Sequence, residues 1–66
     1  MRIELNGEER QLTENTTLAE LITSLRLGTA AVAVERNFEL VPRDKYDTTA
    51  LAEGDQLEIV TFVGGG

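Results

Sequence analysis

Few residues in this chain can do chemistry. It contains no histidine and no cysteine, which removes the commonest general base, the commonest metal ligand and any thiolate nucleophile. Any chemistry must come from something other than a conventional catalytic constellation. The conspicuous feature is the run Gly64-Gly65-Gly66 that closes the sequence. Glycine loses more backbone entropy on ordering than any other residue, so three in succession predict a flexible, solvated tail. Without a Cβ such a tail fits a narrow channel, and its φ/ψ freedom lets it run extended. The terminal carboxylate of Gly66 is then a group that another protein's active site can take in, threaded there by Gly64 and Gly65. A frayed end or a linker has the same composition, so the tail's meaning depends on the domain that carries it.

The chain is 66 residues long, which allows one domain of modest stability, since a domain this small buries only about 60% of its unfolded surface. With no cysteine, no disulfide can support it. The net charge is −6, from twelve acidic and six basic residues. That balance argues against nucleic acid and against anionic membranes, whose phosphates repel it. It suits a protein partner with a basic contact surface. No apolar run approaches the ~20 residues needed to cross a bilayer. Met1 leads straight into a strand pattern rather than a signal peptide, so the cytoplasm is the expected location.

The elements that would position the tail follow from periodicity. Residues 1–5 alternate apolar and polar, and Asn6-Gly7 predicts a tight hairpin into a strand over 9–12. The acidic pair Glu8-Glu9 reads as a solvated edge that discourages edge pairing. Thr17-Leu18-Ala19-Glu20 fits a capping box. Leu18, Leu21, Ile22 and Leu25 then form one apolar helical stripe, with Gly28 placed to stop the helix in a left-handed conformation. A third strand is expected over 31–35, a turn at Arg36-Asn37, and a short fourth strand over 38–41 stopped by Pro42. Residues 43–52 read as irregular, with a helical turn near 49–52. A turn at Glu53-Gly54-Asp55 leads into the last strand over 56–63. The expected core is Ile3, Leu5, Leu12, Leu18, Leu21, Ile22, Leu25, Val32, Val34, Leu40, Leu51, Leu57 and Ile59. Asp55 is expected to serve the turn, Lys45 to be solvated, and Tyr46 to pack with its hydroxyl at the surface.

This order predicts an α+β fold: a small mixed sheet with one main helix packed across one face, over residues 1–63, with 64–66 as the glycine tail. In the last strand, alternation puts Leu57 and Ile59 toward the helix. Val60 and Phe62 then fall on the open face beside the tail, an apolar pair suited to docking a partner.

The whole chain resembles the ThiS family, sulfur carriers of thiamine (thiazole) biosynthesis with a ubiquitin-like β-grasp fold. The resemblance rests on Val34-Glu35-Arg36-Asn37-Phe38-Glu39-Leu40-Val41-Pro42-Arg43, on Leu51-Ala52-Glu53-Gly54-Asp55-Gln56-Leu57-Glu58-Ile59-Val60, and on Phe62-Val63-Gly64-Gly65-Gly66. Arg36 departs from the pattern, standing where members often carry an apolar residue. The resemblance implies a carrier rather than an enzyme. A ThiF-like adenylating enzyme would join AMP from ATP to the Gly66 carboxylate. A sulfur donor such as a cysteine desulfurase would convert it to a thiocarboxylate. Thiazole synthase (ThiG-like) would then draw sulfur from it. ATP belongs to the activating partner, and no cofactor is expected on this chain, which has no phosphate loop between a strand and a helix. The small subunit of molybdopterin synthase shares the tail chemistry, but those chains are usually longer and often carry prolines before the tail. Other Gly-Gly sulfur carriers, a ubiquitin-like modifier joined to lysines, and a plain interaction domain complete the alternatives. The product separates them: a thiocarboxylate, an isopeptide conjugate, or neither.

Overall fold

The structure, a computed structural model, describes residues 1–62. Strand β1 (Arg2–Leu5) turns at Asn6-Gly7 into β2 (Glu8–Gln11). Both turn residues have positive φ, 50° and 84°, as a two-residue hairpin turn requires. Helix α1 (Leu18–Ser24) follows. The Thr17 hydroxyl accepts from the Glu20 N–H at 3.1 Å, and the Glu20 carboxylate accepts from the Thr17 N–H at 2.9 Å. The expected capping box is therefore present, and it satisfies two N–H groups that the helix cannot bond internally. Strands β3 (Val32–Arg36), β4 (Glu39–Leu40) and β5 (Gln56–Thr61) complete the described sheet. The predicted last strand reaches Thr61, while Val63 and the tail at 64–66 lie outside the described residues.

The five strands form one mixed sheet in the order β2-β1-β5-β3-β4. The parallel β1–β5 pair lies inside it, β5 also runs antiparallel to β3, and β2 and β4 are the edges. Ile3 and Leu5, Val32 and Val34, and Leu57 and Ile59 all point to one side. There they form a single buried cluster with Leu18, Leu21 and Ile22 of the helix and with Tyr46 and Leu51 from the long connection. Burial of each such aliphatic side chain contributes about 1.5–3 kcal/mol. This arrangement is the ubiquitin-like β-grasp fold.

Several expectations need correction. Leu40 is not in the core but 70% exposed. A two-residue turn joins β3 to β4, so Leu40 pairs with Glu35. Glu35 points away from the helix, and Leu40 shares its face. Val41 takes the inward position and is partly buried, as are Leu12 and Leu25. The turn itself is Asn37-Phe38, with φ of 51° and 71°, one residue later than expected. The helix is not stopped by a left-handed Gly28. Arg26 takes the positive φ of 63°, and Gly28 is extended at φ −83° before a 3-10 turn at Thr29–Ala31. The expected helical turn near 49–52 is absent. A 3-10 turn lies instead at Arg43–Lys45, directly after Pro42, whose fixed φ suits the residue before a first turn. Ala50 bridges to Thr17 as an isolated ladder pair.

Tyr46 is 3% exposed, and its hydroxyl donates inward to the Val32 carbonyl at 3.4 Å, not outward to solvent. The Tyr46 carbonyl accepts from the Ala19 N–H, so the connection is clamped over the start of the helix and the ring is drawn underneath it.

Candidate functional site

Among the described residues, no other element covers the face of the sheet turned away from the helix. Antiparallel pairing of β5 with β3 sets Val60 opposite Ala33 and Glu58 opposite Glu35. On the other flank, Glu4 of β1 lies beside Gln56. Val60 and Phe62 are each 59% exposed. The Phe62 N–H donates to the Ala31 carbonyl at 3.0 Å, so the ladder geometry continues one residue past β5 and holds Phe62 on the face of Val60. The two residues singled out for docking thus sit together. Gly64, Gly65 and Gly66, singled out for the tail, lie outside the described residues.

Two further apolar side chains belong to this surface. Leu40 lies on the same side through its pairing with Glu35, and Phe38, 82% exposed, stands at the tip of the β3–β4 turn. Leu40 could have been found by parity. Val32 and Val34 face inward, so any two-residue turn pairs residue 40 with an odd-numbered, outward residue of β3. Phe38 could have been found from turn chemistry, since both central residues of such a turn need positive φ. A bulky side chain in that region costs on the order of 1–3 kcal/mol and persists only where its surroundings hold it.

What holds it is a polar network under the turn. Asp55 is 5% exposed. Its carboxylate accepts from Arg36 Nε at 2.8 Å, from the Asn37 side-chain amide at 3.1 Å and from the Ala52 N–H at 2.8 Å. The Asn37 side-chain carbonyl in turn accepts from the Gln56 N–H at 2.9 Å. Asp55 does serve its own turn, as expected, but it also fixes the neighbouring hairpin. Arg36 has the inward parity of Val32 and Val34, which explains why an apolar residue suits that position. Here its guanidinium reaches the rim and pairs with Asp55.

Burial alone would raise the Asp55 pKa. The hydrogen bonds from Ala52, Asn37 and Arg36, with the Arg36 charge, outweigh it and hold the carboxyl below its ordinary 3.8. A carboxyl depressed in the folded state stabilises the fold fully above the unfolded value, and that contribution is lost as pH falls through the folded value. Asp55→Asn is therefore expected to lower the melting temperature at neutral pH, and the gap to the parent chain should close below pH 3.8. Thermal melts of both proteins across that range check it; a gap that stays constant would show that the ionised carboxylate contributes nothing. The neutral-pH loss is about 1–3 kcal/mol, as for a buried polar group stripped of its partner.

Among the described residues, no group of acidic side chains is arranged to hold a metal ion, and no helix is long and apolar enough to cross a membrane. Comparison with known proteins agrees with the fold. The model of the ThiS family matches residues 3–66. The chain is 38% identical over 65 residues to the sulfur carrier protein ThiS of Bacillus subtilis, covering 97% of this chain and 98% of that one. It is 46% identical over its full length to a thiazole synthase of Paramagnetospirillum magneticum, of which it spans 20%. The chain thus covers about a fifth of the length of such thiazole synthase relatives. The crystal structure of a thiamine biosynthesis protein (ThiS) from Geobacter metallireducens superposes with a TM-score of 0.83 at 33% identity, over all of both chains.

Proposed function

The chain belongs to the ThiS family, and from that premise we propose that it is a sulfur carrier of thiamine biosynthesis whose working group is the Gly66 carboxylate. The observation that carries this reading is the extent of the match. It runs through residue 66 and therefore takes in the three glycines together with the β-grasp domain.

A free carboxylate is a poor electrophile. In the proposed sequence a carboxylate oxygen attacks the α-phosphorus of ATP on a ThiF-like enzyme, pyrophosphate leaves, and an acyl adenylate forms. The terminal sulfur of a persulfide, supplied through a cysteine desulfurase, attacks the carbonyl carbon and displaces AMP. A second thiol then cleaves the sulfur–sulfur bond by reduction and leaves a thiocarboxylate. Sulfide stays covalently held until thiazole synthase uses it. That partner is supported by thiazole synthases that contain a stretch like this chain. In this scheme the chain is a co-substrate rather than an enzyme.

Intact-mass analysis after incubation with ATP, the adenylating enzyme and a sulfur source tests the proposal. The expected product has one oxygen replaced by sulfur at the C-terminus. Recovery of the unmodified chain, or of an isopeptide conjugate, would overturn it.

The open face supplies the dock in this scheme. Val60 and Phe62 orient the domain on each partner in turn, so the adenylating enzyme and thiazole synthase compete for it. Phe62→Ala is expected to weaken partner binding by about 1–2 kcal/mol or more, as truncation of an aromatic anchor does. Because the ring is more than half exposed, folding should change less. Titration calorimetry beside a melt of the free protein separates the two effects. A variant that melts early yet binds at full affinity would make Phe62 a packing residue instead.

A further inference from the structure

The open face has a second half that the apolar dock does not use. Phe38 forms one wall of a shallow groove whose remaining lining is Glu4, Gly7, Glu35, Gln56, Leu57 and Glu58. Glu35 and Glu58 lie directly opposite each other on neighbouring strands, an arrangement that destabilises a sheet. Among the described residues the ion pairs are made by Glu14, Glu9, Glu53 and Asp55. None reaches Glu4, Glu35 or Glu58. Beside these carboxylates stands Phe38, an aromatic ring 82% exposed on a backbone with φ of 71°. Asparagine or glycine would sit there with less strain. Folding alone favours neither the like-charge pair nor the strained aromatic.

We propose that this groove receives an arginine or lysine side chain of thiazole synthase. The proposal rests on the carrier reading given above. A planar guanidinium or an ammonium is attracted by the carboxylates and by the face of an aromatic ring. No metal cluster is available among the described residues, so a free divalent cation does not fit. The groove is continuous with Leu40, Val60 and Phe62 across β3 and β5. An apolar anchor and a charged anchor on one rigid sheet fix orientation as well as contact. The chain's net charge of −6 speeds encounter with a basic surface in the same sense.

The test is a titration of the full chain with purified thiazole synthase at low and at high salt. The variants are Phe38→Asn and the double substitution Glu35→Gln with Glu58→Gln. Each is expected to weaken binding about tenfold, the equivalent of one charged or cation–π contact. The double variant should also lose most of the salt dependence seen with the parent chain. Neither should melt earlier, and Phe38→Asn should melt later, which a structural role for these residues would not produce. Parent-like affinity and parent-like salt dependence in both variants would overturn the proposal, and so would earlier melting of both. Thiocarboxylate formation by the parent chain is measured alongside. If it forms while the groove variants bind normally, the groove is wrong and the carrier reading stands; if it does not form, the carrier reading itself falls.

Discussion

Deleting Gly66, or adding one residue beyond it, is expected to abolish activation by the adenylating enzyme and to leave the melting curve of the protein unchanged. The last described strand, β5, ends at Thr61, and among the described residues every buried apolar side chain lies at or before Ile59. Acyl transfer, by contrast, depends on the carboxylate standing in line with the α-phosphate. One residue of extended chain moves it by about 3.5 Å, and misplacement of a reacting atom by a single ångström is enough to cost about a hundredfold in rate. ATP–pyrophosphate exchange beside a thermal melt measures both halves. Normal exchange by a chain extended past Gly66 would mean that activation does not occur at that carboxylate.

The largest effect on folding is expected at Leu21. Its side chain is 1% exposed and sits in the middle of α1 between Leu18 and Ile22, against the sheet. Leu21→Ala removes the contacts of three carbon-bearing groups and leaves a cavity that the single helix can close only in part. The expected loss is about 2–5 kcal/mol. At about 0.05–0.15 kcal/mol per residue a domain of this size holds only a few kcal/mol in reserve, and it has no disulfide to fall back on. Much of the variant population should therefore be unfolded in mild urea. A loss well under about 1 kcal/mol would mean that the helix buries a different face.

Local signals in the sequence were informative because each is read over a few residues. The capping box at Thr17 and Glu20, the Asn6-Gly7 turn, and the alternation of Leu57 and Ile59 with Glu58 and Val60 all appear where they were expected. Burial that depends on distant partners was harder to read. Leu40 looked like core because leucine is apolar, yet its face is dictated by pairing with Glu35. Tyr46 looked amphipathic, yet the clamp between its carbonyl and the Ala19 N–H pulls it inside. Gly28 looked like the helix stop, but Arg26 had already taken the left-handed position. Asp55 read as a turn residue, and nothing local showed that Arg36 and Asn37, far back in the chain, converge on it. Of the proposed site, Val60 and Phe62 were legible from strand alternation. The opposed Glu35 and Glu58 required the register of β3 against β5.

The position of β5 bears on how the protein comes into being. It is the middle strand of the sheet and the last element of the described chain. Its pairing with β1 joins residues separated by roughly fifty positions, and the entropy of closing so long a loop must be met before the contacts reward it. A ribosome delivers β1 and β3 first, with facing edges unsatisfied and nothing between them. The sheet cannot be completed until residues 56–61 have emerged. A transcript broken anywhere upstream thus yields a chain without a middle strand, and exposed edges of that kind invite aggregation and proteolysis. Truncated copies of this kind are expected to be cleared as unfolded protein rather than to persist as folded domains that lack Gly66.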